Sequence, residues 1–172
     1  TYAPGDNSRI YASVAIAHRE PSRSDIKESI KSASADKLKA EQLVDVELGY
    51  RLNTEKFAFS ANMYLMEYKD QLVATGRLTD VGYVIKENIP HSYRRGVELA
   101  AAWNLNRIFT LEGNITLSQN KALDYTAFVD TYDNPDNWNP LPQKEIFFKK
   151  TNLILSPEVI GMLQLRARPG LG

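Results

Sequence analysis

Between Ser92 and Tyr125 apolar residues recur at every second position on both sides of a minimal turn at Asn106–Arg107. Val97, Leu99, Ala101, Trp103 and Leu105 share one face of the first arm. Phe109, Leu111, Gly113, Ile115 and Leu117 share one face of the second. The opposite face carries Glu98, Asn104, Thr110, Glu112, Asn114, Thr116 and Ser118. A period of two marks strands whose faces meet different surroundings. The pattern recurs along the chain. Residues 9–18 alternate with Ile10, Ala12, Val14 and Ile16 on one side. Residues 41–52 set Val44, Val46, Leu48, Tyr50 and Leu52 against Asp45, Glu47, Gly49 and Arg51. Beyond a turn at 53–56, residues 57–69 set Phe57, Phe59, Ala61, Met63 and Leu65 against Ser60 and Asn62. A long extended run follows over 83–105, with Pro90 near its upper end, and 146–155 and 162–168 read as further strands.

The connections alternate in length. Short turns are expected at 53–56, 106–107 and 156–161, and long loops at 19–40, 70–82 and 122–144. The segment 19–42 lacks an apolar stripe and reads as a loop with room for helical turns. The expectation is an all-β, antiparallel meander of about seven strands, with all short turns at one end and all long loops at the other. A transmembrane barrel has that asymmetry, with short periplasmic turns, long extracellular loops, an apolar outer face and a polar lumen. Strand length also agrees, since a tilted span needs roughly 9–11 residues. Val97, Leu99, Ala101, Phe109, Leu111, Ile115 and Leu117 then face lipid, and Glu98, Asn104, Glu112, Asn114 and Thr116 the lumen. Tyr50, Phe57 and Trp103, near the short turns, fit an interfacial aromatic girdle.

Composition narrows the partners. Lys plus Arg equals Asp plus Glu at 21 each, which argues against nucleic acid as a partner. The pair Arg94–Arg95 reads as a strand flank. Cysteine is absent, which removes disulfides and thiolate metal sites. No run is long and apolar enough for a membrane helix, a statement that leaves strands untouched. No leader opens at Thr1, so an exported precursor would begin upstream.

Catalytic chemistry finds little support. The carboxylate pairs Asp45/Glu47 and Glu98/Glu112 read as solvated wall charges. His18 and His91 lack companions at metal-ligand spacing, and no GxSxG elbow or phosphate loop is present. No catalytic residue, metal or cofactor is expected. In TYDNPDNWNPLP, residues 131–142, Tyr132, Asn137 and Trp138 are the candidate ligand contacts, because aromatic faces among amides suit sugars and flat polar ligands. The competing reading is a turn-rich loop whose aromatic packs on its neighbours.

The run YLMEYKDQLVATGRLTDVGYVIKENIPHSYRRGVELAAAW, Tyr64 to Trp103, resembles the late barrel of TonB-dependent outer-membrane receptors. The likeness rests on Tyr-x-x-x-Tyr-Lys-Asp at 64–70, Asn88 with Ser92, Gly96-Val97-Glu98 and ITLSQN at 115–120, preceded by REPSRSD and DVELGYR. It implies part of a 22-stranded transmembrane β-barrel in the outer membrane of a Gram-negative bacterium. Residues 1–172 are then a partial receptor barrel without plug domain, TonB box or final strands. The implied activity is ligand import energised by TonB, reached through the missing N-terminal region. The implied partners are outer-membrane lipid, an extracellular small-molecule, glycan or siderophore ligand, and a surface lipoprotein. Two rivals stand beside this reading: a soluble β-sandwich carbohydrate-binding module, and a small complete outer-membrane barrel, which needs an eighth strand that the pattern does not supply.

Overall fold

The computed structural model describes residues 1–31, 38–79, 82–133 and 139–168. They form one antiparallel sheet of eight strands and one helix. In chain order these are β1 (Tyr2–Gly5), β2 (Ser8–Arg19), α1 (Arg23–Lys31), β3 (Glu41–Asn53), β4 (Phe57–Leu78), β5 (Val84–Asn104), β6 (Phe109–Tyr132), β7 (Pro140–Asn152) and β8 (Val159–Ala167). Each strand from β1 to β6 pairs with the next, and β8 pairs with β6. The eighth strand is the short β1, which hairpins onto β2.

Register turns the alternation of single strands into two chemically distinct faces. Ala12, Leu48, Met63, Val97, Leu117 and Val159 form one cross-strand row over six strands. The adjoining row, one residue along each strand, is Tyr11, Gly49, Asn62, Glu98, Thr116 and Ile160. Successive side chains of a strand point to opposite faces, so the first row belongs to an apolar face and the second to a polar one. The apolar face is uncovered: Val14 is 71% exposed and Leu163 78%. Near the tight turns Phe57 stacks on Phe59, pairs with Trp103, and lies close to Tyr50 through Phe59.

Three expectations change. β4, β5 and β6 run to 22, 21 and 24 residues, so the predicted loops 70–82 and 122–144 shrink to links at 79–83 and 133–139. The period of two shifts phase inside these strands, so the alternation breaks while the ladder continues. Asp70 and Asp124 hold φ of 54° and 50°. Below Asp70 the polar face takes even positions such as Tyr64 and Met66. Above it Gln71 meets Ser92, and Val73 packs with Ala122 on that same face. Asp and Asn enter this left-handed region more readily than other side chains.

The second change is the predicted turn at 156–161. β7 and β8 both run antiparallel to β6, along the same edge, and are two parts of one descending strand. Between Lys121↔Asn152 and Leu117↔Val159, residues 118–120 of β6 face residues 153–158, an excess of three. The excess bulges out around Leu155, whose φ is 55° and which is 96% exposed. Ser118 N donates to Glu158 O and Leu153 N to Asn120 O, closing the ladder on either side.

The third change is α1, inside the segment read as a loop. Ser22 Oγ accepts from Asp25 N while Asp25 Oδ2 accepts from Ser22 N, a reciprocal N-terminal cap. Lys86 on β5 then pairs with Asp25 at 3.1 Å and anchors the helix to the sheet.

Candidate functional site

The polar face supplies the chemistry, and small residues shape it. Tyr11 lies over Gly49 and donates to Asn62 Oδ1 at 3.1 Å. Tyr64 lies over Gly96 in the same cross-strand manner, since a Cβ at Gly96 would stand 2.7 Å from the Tyr64 hydroxyl. Each ring covers backbone that a side chain would otherwise occupy. Lower down, Arg166 and Glu112 pair at 2.8 Å.

The bulge projects onto this face. Leu155, Ser156 and Pro157 close one side of a hollow of about 380 Å³, with Glu47, Asn62, Arg94, Glu98 and Asn120 on the other. Ser118 Oγ donates to Pro157 O at 3.1 Å and Arg94 Nη1 to Ser156 Oγ at 3.3 Å, which fixes the shelf. Arg94 Nε and Asp45 Oδ1 are buried with no hydrogen-bond partner among the described residues. Above lies a second hollow of about 320 Å³ bounded by Gln71, Arg94, Ala122, Tyr125, Thr151 and Leu153. Ser92, fully buried, donates to Gln71 Oε1 at 2.6 Å. Arg94 therefore stands between two cavities with part of its donor set unspent. Such a wall of amides, hydroxyls, carboxylates and one guanidinium can hydrogen-bond polar solutes that offer both donors and acceptors. Among the described residues no group of three or more His, Asp or Glu side chains comes together as a metal site.

At the rim, Arg77 pairs with Glu87 at 3.3 Å and sits 4.9 Å over the Phe128 ring. Tyr132 ends β6 opposite Pro140 and is partly exposed, at the foot of the 133–139 link, which Asp133 N closes by donating to Asn139 O. Asn137 and Trp138 lie outside the described residues. Arg94 escaped the sequence reading as a flank residue. Alternation was the available signal: adjacent residues in a strand take opposite faces, so Arg94 and Arg95 cannot share one role.

An antiparallel sheet with one continuous apolar face and one polar, hollowed face is a wall whose two sides suit different surroundings. The TonB dependent receptor-like beta-barrel family model matches residues 1–157, and the chain belongs to that family. Among curated proteins none matches it. Among solved structures it is similar to the copper transporter OprC, with a TM-score of 0.58 and 21% identity over 69% of this chain and 19% of that one. It is also similar to the FrpB iron transporter from Neisseria meningitidis (F3-3 variant), with a TM-score of 0.55 and 20% identity over 78% of this chain and 24% of that one. At these identities the likeness is one of fold, and the chain spans about a fifth to a quarter of the length of either structure.

Proposed function

We propose that residues 1–172 form part of the wall of an outer-membrane import receptor, with the apolar face toward lipid and the polar face toward the barrel lumen. The observation that carries this reading is the pair of adjoining cross-strand rows, one apolar and one largely polar, held in register over six strands. A water-soluble sheet would cover its apolar face with a second layer, and among the described residues none covers the Val97 row. Family membership supports receptor function, and energisation by TonB through a region outside these residues follows from it as part of the same proposal. Tyr132, Asn137 and Trp138 would meet the incoming small molecule, glycan or siderophore at the extracellular rim, where a surface lipoprotein could also dock.

Cysteine labelling of the full-length protein on intact cells tests the orientation. An impermeant maleimide should modify the variant Asn139→Cys, at the rim, and spare Glu55→Cys, in a tight turn. The reverse pattern would invert the topology, and labelling of both would remove the membrane from the argument.

A further inference from the structure

Above the pair His91↔Leu123 the sheet divides. β5 leaves β6 there but stays with β4 as far as Leu78↔Val84, while β6 stays with β7 as far as Tyr132↔Pro140. Two hairpins rise separately, and β4 nonetheless reaches β6. Tyr125 Oη donates to Ala74 O at 2.8 Å and Gln143 Nε2 to Gly76 O at 3.4 Å. A Cβ at Gly76 would stand 2.3 Å from Phe128 O. In a flat sheet β4 and β6 would lie two strand spacings apart, roughly 10 Å, so the β4–β5 hairpin leans over β6. It bends where Asp70, at φ 54°, stands opposite Pro90, which has no amide to give the ladder. The upper hollow is the space under this lean, with Gln71 and Val73 on the hairpin side and Ala122, Tyr125 and Leu153 on the other.

The back of the hairpin is held by the β2–β3 connection. Asn88 and Lys86 take the face opposite to Ile89, which packs with Ala122. Asn88 Oδ1 accepts from Lys39 N at 2.7 Å, and its Nδ2 donates to Lys39 O at 3.0 Å and to Asp70 O at 2.6 Å. A carboxamide carries donor and acceptor side by side, so Asn88 grips residue 39 as a neighbouring strand would and ties it to the bend. Lys39 Nζ lies 3.6 Å from Asp70 Oδ1, and Asp25 of α1 meets Lys86 at 3.1 Å. Glu41 Oε2, paired with Arg19 at 2.8 Å, accepts from Leu72 N at 3.2 Å.

We propose that this connection is a brace. It holds the β4–β5 hairpin over the upper hollow from behind, and Asn88 is the positioning residue that transmits the hold. Access to the hollow is then set by α1 and residues 38–40, which line none of it. Above His91, β5 has no strand partner on its β6 side among the described residues, so ladder bonding does not fix the lean. Three hydrogen bonds from one side chain at the bend do. That a solute enters this hollow rests on the import reading; the brace itself does not.

Thiol accessibility in the full-length protein tests the brace. Ala122, 3% exposed, walls the hollow, on the other side of the hairpin from Asn88. In an Ala122→Cys background, Asn88→Ala should speed modification by a small neutral methanethiosulfonate roughly tenfold, as expected when hydrogen bonds of this kind are lost. Asn88→Asp keeps the size and the acceptor but removes both donations, and should act in the same direction. Asp25→Asn, which releases α1 alone, should give a smaller rise. Amide exchange separates a brace from general loss of structure: in Asn88→Ala, residues 71–75 and 85–89 should exchange faster and residues 110–117 at the same rate. Unchanged thiol labelling with loosening confined to residues 38–40, or faster exchange throughout 110–117, would overturn the proposal. The orientation test with Asn139→Cys and Glu55→Cys is indifferent to these outcomes, so the brace and the import reading fail separately.

Discussion

Leu99 and Ile115 face each other across β5 and β6 on the apolar face, and Asn114, next to Ile115, points to the polar one. If the faces meet lipid and lumen, Leu99→Arg or Ile115→Arg in the full-length protein should cost roughly 2–4 kcal/mol near the bilayer midplane, and Asn114→Arg much less. Equilibrium unfolding from bilayers reads the difference, and equal costs would contradict the assignment. The single residues that sequence reading placed on each face were legible because alternation is a local signal. The Tyr–Gly pairs were not legible. That Tyr11 covers Gly49 depends on which residues stand opposite, and register is set by the whole ladder. A glycine in a strand announces a close approach without naming what approaches.

Among elements, α1 is the clearest miss with a visible cause. Ser22-Arg23-Ser24-Asp25 carries the S-x-x-acid spacing of a capping box, a signal that the search for an apolar stripe does not read. Burial acts to raise the Asp25 pKa, yet hydrogen bonds from Ser22 and the Lys86 ammonium outweigh it and hold the carboxyl below its ordinary value. A depressed folded-state pKa gives stability that is present above the ordinary aspartate value and lost as pH falls through the lower one. The attachment of α1 to β5 should therefore loosen on acidification below about pH 4, and Asp25→Asn should remove most of that pH dependence. Amide exchange over residues 23–31 of the full-length protein measures it; an acid-insensitive helix in the unmodified protein would refute it. The long strands failed differently. Asp70 and Asp124 keep the ladder register while exchanging faces, so a reader following the period of two loses it where the hydrogen bonding continues.

At the scale of the whole molecule, a single sheet with a bare apolar face should not persist as a monomer in plain buffer. Expressed alone, the chain is expected to sediment as aggregate without detergent and to show strand-rich circular dichroism in it; a detergent-free monomer would favour a soluble module. The sheet order and the opposed faces were legible from pattern and turn spacing. The relation of β7 to β8 was not, because SPEVIG carries turn chemistry whether a chain reverses or merely steps aside. That step has an arithmetic of its own. An odd excess of residues exchanges parity: at the foot of β7 the polar face takes the odd position Thr151, with Leu153 just past the strand end, and in β8 even ones such as Ile160 and Arg166. The outer rim of this strand is thus two rulers laid end to end with a fault between them. A neighbour zipped to both rulers needs no fault of its own, as β6 shows on the other side, because the three surplus residues leave the ladder and the rungs stay aligned; only a count of residues along this strand reads inside as outside once it passes 153–158.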